Sequence, residues 1–272
     1  MAPQSGFPDP LVIAPLSPVH KQTFILLHGR GSSAANFGPG LLQEPLTSRT
    51  TNTVMPHSGL TTLQTNFPHA KFIFPTAPRR RATIYKRSII NQWFDSWHVD
   101  EQGVNEWLMI EGLQKTVGYL HALLRKEIAL LGEGGAQNVV LGGISQGCAA
   151  SLVVMLLWDG PPLGAVLGVC GWLPFEGGLS KVAGAQKLEL DEAPPDPDRN
   201  PFSTPVFLGH GTEDQKVPVG LGLSAAACLE TMGIKVSWNE YHGLGHWYSG
   251  EMLADMASFL EYQTKWIQQG EE

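Results

Sequence analysis

The chain has 272 residues, 43% of them hydrophobic and 16% charged, which supplies a sizeable core and excludes a disordered chain. A net charge of −7 argues against a nucleic-acid partner, since such proteins carry a basic face. The one dense basic cluster, Arg79, Arg80 and Arg81 followed by Lys86 and Arg87, reads as a solvated loop.

Residues 1–20 hold Pro3, Pro8, Pro10, Pro15 and Pro18 and no basic residue before Lys21. That is not the pattern of a secretory signal and predicts a poorly ordered N-terminal extension. The run 22–28 (QTFILLH), ending at Gly29, predicts a buried strand, and 71–75 (KFIFP) a second. Between 104 and 131, Ile110, Leu113, Val117, Leu120 and Leu124 step by three and four, as on one face of a long helix. A strand is expected at 138–144, a buried helix at 146–158, and short buried runs at 164–170 and 205–209. A helix at 221–232 follows, then the strand-like alternation of Ile234, Val236 and Trp238. Met252, Met256, Phe259, Gln263 and Trp266 are spaced as on a last amphipathic helix. The longest apolar stretch, 152–158, falls far short of the roughly 20 residues of a transmembrane helix.

Alternating strands and helices predict one α/β domain over 21–272, a mostly parallel sheet with helices on both faces. The Pro- and acid-rich stretch 172–204 stands apart as a surface excursion, a lid or a passive insertion. Cys148, Cys170 and Cys228 cannot all pair and lie in no metal-binding spacing, so a reducing compartment, the cytoplasm, is expected. The pattern leaves the oligomeric state open.

Ligands of such sheets meet the carboxyl ends of the strands. The strand at 138–144 delivers Gly143-Ile144-Ser145-Gln146-Gly147, the G-x-S-x-G of a nucleophile elbow, in its required setting between a strand and a helix. A serine hydroxyl needs an adjacent base that is itself held by a carboxylate. In chain order after an elbow serine come the acid and then the histidine. His210 precedes the expected acid and fails that order. His246, beside the last helix, is the expected base, with His242 the alternative. Asp214, just past a strand, is the expected acid; its neighbour Glu213 points elsewhere, and Asp196 and Asp198 are read as solvated. The backbone N–H groups of Gln146 and of Arg30, in the loop after the first strand, are the expected oxyanion donors. Two rival readings are weaker. Gly29-Arg30-Gly31-Ser32-Ser33-Ala34 fits a dinucleotide fingerprint, but no acidic residue stands between Glu44 and Asp95 to hold a ribose. His242 and His246 are spaced as metal ligands on a helix, but glycines separate them and no HExxH acid is present, so no metal is expected.

Taken together, FILLHGRGSS (24–33), FPTAPRRRATIYKRSIINQWFDSW (74–97), LGGISQGCAASL (141–152), LGHGTEDQKVPV (208–219) and GLGHW (243–247) resemble the acyl-protein thioesterase family. This is the phospholipase/carboxylesterase branch of the α/β-hydrolases, and the likeness spans roughly residues 20–266. The resemblance implies an α/β-hydrolase fold, nucleophile Ser145, acid Asp214, base His246 and backbone donors Arg30 and Gln146. It implies hydrolysis of acyl esters or thioesters without cofactor, with S-acylated proteins among the substrates. The alternatives are a carboxylesterase or lysophospholipase acting on small-molecule or lipid esters, and a non-catalytic binding protein on the same fold. The chain departs from the family where Arg30 replaces an apolar residue, Ser32 an acid, and Thr212 the first aspartate of the HG-D-x-D pattern.

Overall fold

The structure, a computed structural model, describes residues 6–47, 61–101, 103–175, 201–264 and 266. In chain order its main elements are β1 (Leu11–Ile13), β2 (Gln22–Leu27), α1 (Ala34–Gln43), α2 (Leu63–Asn66), β3 (Ala70–Phe74), β4 (Arg79–Ala82) and β5 (Ser88–Asn91). They continue with α3 (Trp107–Leu131), β6 (Val139–Ile144), α4 (Gln146–Leu156), β7 (Ala165–Val169), β8 (Val206–Gly211), α5 (Val219–Thr231), β9 (Val236–Tyr241) and α6 (Gly250–Thr264). The order β1-β3-β2-β6-β7-β8-β9 forms one sheet, parallel except for the antiparallel edge strand β1.

The continuous apolar runs are strands covered on both sides: every residue of β2, β6, β7 and β8 is buried. Alternate residues of β2 feed two cores. Ile25 and Leu27 pack with Leu113 and Leu120 of α3 and Leu152 of α4. Phe24 and Leu26 pack with Leu41 of α1 and with Met252 and Leu260 of α6. Helices therefore cover both faces, and all strand ends that carry candidate residues lie at one edge of the layer.

Several expectations are corrected. Residues 11–13 are not a loose lead-in; β1 pairs with β3 in the register Leu11 with Phe74, which covers an edge that would otherwise stay open. Arg79 to Arg81 are not a solvated loop. They form β4, paired with β5 in a hairpin whose Asn91 carbonyl accepts from the Gly31 amide at 2.7 Å. Helix α1 was not anticipated, because Gly38-Pro39-Gly40 reads as a turn. The helix forms because Ser33 caps its Asn36 amide, and Gly38 lets it lie against the ring of Phe74. Of the excursion 172–204, residues 176–200 lie outside the described residues, while Trp172, Leu173 and Phe175 at its start are buried core rather than surface. Strand β8 runs two residues past its expected end, because His210 and Gly211 go on pairing with β9.

Candidate active site

Ser145 sits between β6 and α4 at φ 58° and ψ −121°, a conformation that an L side chain rarely adopts. The flanking glycines make the turn possible. A Cβ on Gly147 would stand 2.3 Å from the Leu27 carbonyl oxygen, and one on Gly143 2.6 Å from the Gly147 carbonyl carbon. The amide of Ser145 donates to the Val169 carbonyl at 2.8 Å, which ties the elbow to β7.

Gln146 explains its own place in the motif. Its side chain is buried, accepts from the Trp93 amide at 2.9 Å and donates to the Phe94 carbonyl at 2.7 Å. The Trp93 indole donates to the His28 carbonyl at 2.8 Å, so one brace joins the ends of β2 and β6. The Gln146 side chain is committed to that brace. Its backbone N–H, in the first turn of α4, has no acceptor within the helix. The loop after β2 comes close to the serine: a Cβ on Gly29 would stand 3.4 Å from the Ser145 Cβ. Arg30, the next residue, lines the same cavity as Ser145. His28, at the base of this loop, accepts from the Ala77 amide at Nε2 and donates to the Gly29 carbonyl at Nδ1; burial holds its pKa below the usual range.

Asp214 lies in the loop after β8 with its carboxylate fully out of solvent. Oδ1 accepts from the amides of Lys216 at 2.8 Å and Val217 at 2.9 Å. Oδ2 accepts from His246 Nδ1 at 2.6 Å and from His210 Nε2 at 3.2 Å. Burial alone would favour the neutral acid, but the bonds from His210, His246 and the Val217 amide outweigh it and hold the carboxyl below the usual range. With Nδ1–H given to the carboxylate, Nε2 is the basic nitrogen of a ring that lines the same cavity as Ser145. That cavity has a volume of about 520 Å³ and is walled by Phe37, Trp97, Trp172 and Trp247 as well as by Gly29, Arg30 and Gln146.

Of the expected site residues, Ser145, His246, Arg30 and Gln146 line one cavity, and Asp214 is bonded to His246. The alternatives do not: His242 and Glu213 are exposed, and neither lines the cavity. Sequence order passed over His210, whose imidazole is buried behind Asp214. Its Nε2 also stands 2.9 Å from the Val217 carbonyl, which can only accept, so Nε2 carries the proton. The signal was available in the i, i+4 spacing of His210 and Asp214 across a strand end.

Among the described residues one group has the make-up of a metal site: Cys170, His210 and Asp214 place ligand atoms within 4.8 Å of one another. It does not suit a cation. Both Asp214 oxygens already accept two N–H bonds each, and burial pushes the Cys170 thiol up to about 12, far from the thiolate a metal needs. The dinucleotide reading finds its strand–loop–helix setting between β2 and α1, but β3 ends at Phe74 and is followed by Pro75-Thr76, with no acid for a ribose.

A parallel sheet with a strained serine between its central strand and a buried helix defines the α/β-hydrolase class. The family model described as phospholipase/carboxylesterase matches residues 58–264. An acyl-protein thioesterase 1 of Yarrowia lipolytica is 30% identical over 262 residues, 95% of this chain and 99% of that one. The carboxylesterase SOBER1 of Arabidopsis thaliana is 28% identical over 254 residues, 90% of this chain and 92% of that one. The crystal structure of Zea mays acyl-protein thioesterase 2 shares the fold with a TM-score of 0.69 at 22% identity, covering 94% of this chain and 98% of that one. The chain belongs to the phospholipase/carboxylesterase family of α/β-hydrolases. Among the described residues no helix is long and apolar enough to cross a membrane.

Proposed function

We propose that this chain hydrolyses acyl esters and thioesters through an acyl-enzyme on Ser145. The observation that carries the reading is the 2.6 Å bond from His246 Nδ1 to the buried Asp214 carboxylate, on a ring that shares a cavity with the strained Ser145.

His246 Nε2 takes the hydroxyl proton as Ser145 Oγ forms a bond to the acyl carbon. The carbonyl π pair moves onto oxygen and is met by the backbone N–H groups of Arg30 and Gln146. Collapse of the tetrahedral species breaks the bond to the leaving alkoxide or thiolate, which takes the proton from the imidazolium. Water then attacks the acyl-enzyme with His246 again the base, releasing the carboxylic acid and restoring Ser145. Asp214 fixes the Nδ1–H tautomer and stabilises the imidazolium. No cofactor enters these steps.

The names of the relatives support two substrate classes. One is an S-acylated protein, as in the acyl-protein thioesterases; the other is a small-molecule or lipid ester, as in the carboxylesterases. Apolar cavity walls at Trp97, Trp172 and Trp247 suit the acyl portion in either case. The cytoplasm is the compartment we propose, because the buried Cys148 and Cys170 carry free thiols.

A fluorophosphonate probe tests the reading. Labelling at Ser145 that disappears in Ser145→Ala, with hydrolysis of p-nitrophenyl esters, is the expected result. A folded wild type that neither labels nor turns over is instead a binding protein on this fold. Parallel rates on esters of graded length and on a palmitoyl-thioester peptide separate the substrate classes.

A further inference from the structure

A backbone N–H is aimed by the chain on either side of it. The Arg30 N–H and the Gly29 carbonyl belong to one trans peptide plane, so they point in opposite directions. The Gly29 oxygen is held twice, by His28 Nδ1 at 2.7 Å and by the Ser32 amide at 3.2 Å. The direction of the Arg30 N–H is therefore set by where His28 and Ser32 sit. His28 is buried directly after β2. Ser32 lies beyond Gly31, which turns the chain at φ 81°, a conformation open to glycine and costly for other residues.

Asn91, the last residue of β5, holds this turn from the other side. Its backbone carbonyl accepts from the Gly31 amide at 2.7 Å, and its side-chain Nδ2 donates to the Ser32 carbonyl at 2.8 Å. A carbonyl can only accept, so the carboxamide presents its nitrogen there. Any residue at 91 could keep the first bond. The second is specific to the asparagine side chain.

The same segment holds the residue of the second donor. Two positions on, the Trp93 amide donates to the Gln146 side chain and the Phe94 carbonyl accepts from it, while Trp93 Nε1 donates to the His28 carbonyl. Residues 91–94 thus grip both the turn that carries Arg30 and the side chain of Gln146. An oxyanion hole works through donors aimed before the charge forms, so the relative placement of these two residues matters to the rate.

We propose that Asn91 is a positioning residue of the oxyanion hole: its Nδ2 bond to the Ser32 carbonyl fixes the 29–32 turn with the Arg30 N–H aimed at the oxygen on which charge develops. Asn91 itself stands behind the loop and not on the cavity wall. The inference rests on Ser145 as nucleophile and Arg30 as backbone donor, and deepens that reading.

The test separates transition-state from ground-state binding in the full chain. Asn91→Asp keeps the shape but presents a carboxylate oxygen that cannot donate; Asn91→Ala removes the group without adding charge. With p-nitrophenyl butyrate, kcat is expected to fall roughly 10- to 100-fold in both, less than the roughly 10²–10³-fold cost of deleting such a donor outright. KM should stay within about twofold, because the lost interaction belongs to the transition state. The acid limb of the pH profile should not move, since the bond from His246 to Asp214 is untouched. Hexyl trifluoromethyl ketone is the second probe. Ser145 Oγ bonds to its carbonyl carbon, the hydroxyl proton passes to His246, and the π pair becomes an oxyanion that needs the hole. Its inhibition constant is expected to rise by the factor by which kcat/KM falls. Should neither Asn91 variant fold, Gly31→Ala carries the test: its methyl meets open space, but φ 81° strains the same turn, and the same signature is expected.

A lower melting temperature with kcat and ketone inhibition at wild-type values overturns the inference and leaves Asn91 a brace of the hairpin. So does a rise in KM with ketone inhibition unmoved. Turnover that persists in Ser145→Ala, or a folded wild type that neither hydrolyses the ester nor is inhibited by the ketone, removes the nucleophile reading and this inference with it.

Discussion

His210 donates through Nε2 to Asp214 Oδ2 at 3.2 Å, the same oxygen that accepts from His246 Nδ1 at 2.6 Å. Two imidazoles therefore share one carboxylate oxygen. The donor on the far side draws charge away from the bond to His246, and Gly222 leaves it room: a Cβ there would stand 2.4 Å from His210 Nδ1.

Removing that donor should make Oδ2 a stronger acceptor for His246 and favour the imidazolium. His210→Ala is expected to move the acid limb of kcat/KM to higher pH and to lower its plateau roughly tenfold, the worth of one hydrogen bond to a charged group. His210→Gln, whose amide can reach the same oxygen, should restore the limb. A lower melting temperature with an unmoved pH profile would show that His210 only fills the core.

Ser145→Ala is expected to lower kcat on the order of 10⁴-fold or more while the fold persists. The φ of 58° at this position adds a stability signature. Glycine tolerates it and alanine does not, so Ser145→Gly should be more stable than Ser145→Ala by about 1 kcal/mol, the reverse of the usual ranking. Denaturant midpoints of the two variants decide it.

Gly147→Ala is expected to destabilise the protein by about 3 kcal/mol or more, because its methyl meets the backbone oxygens of Leu27 at 2.3 Å and His28 at 2.7 Å rather than a movable side chain. The Leu27 and His28 backbone would have to shift, so esterase activity should fall along with the unfolding midpoint. A variant with normal midpoint and turnover would show that the β2 end gives way freely.

Asp214 predicts how stability follows pH. Its carboxyl is more acidic folded than unfolded, so its contribution is complete above the unfolded value, near 4, and fades as pH falls toward the folded one. Asp214→Asn should therefore cost stability at pH 7, and its deficit relative to wild type should shrink as the medium becomes more acid than about pH 4. Urea unfolding of both proteins at pH 7, 5 and 3 measures it; a constant deficit would place the effect in packing rather than charge.

The sheet was legible where burial on both faces writes a run of apolar residues, as in β2, β6 and β7. It was not legible where pairing overrides composition. The arginines of β4 read as solvated, yet their backbone pairs with β5; Leu11–Ile13 lies among prolines, yet finds the edge of β3. Ser145, Asp214 and His246 could be singled out as candidates because chain order and strand ends restrict the choice. His210 was passed over, since chain order says nothing of a second imidazole behind the acid and only its i, i+4 spacing to Asp214 pointed to it. The side-chain role of Gln146 was equally hidden, because its partners at Trp93 and Phe94 are more than fifty residues away in the chain.

All eleven residues of α4 are buried, so Ser145 opens a helix wrapped by protein on every side. Asp214 and His246, by contrast, hang on connections beside β8 and β9, at the far end of the sheet. Amide exchange in α4 should accordingly be among the slowest in the molecule, lost only with global opening, while the 212–218 and 242–249 amides exchange through local excursions. Warming would then disconnect the proton relay before it dislodges the nucleophile, leaving a window in which the enzyme is silent yet still recovers on cooling.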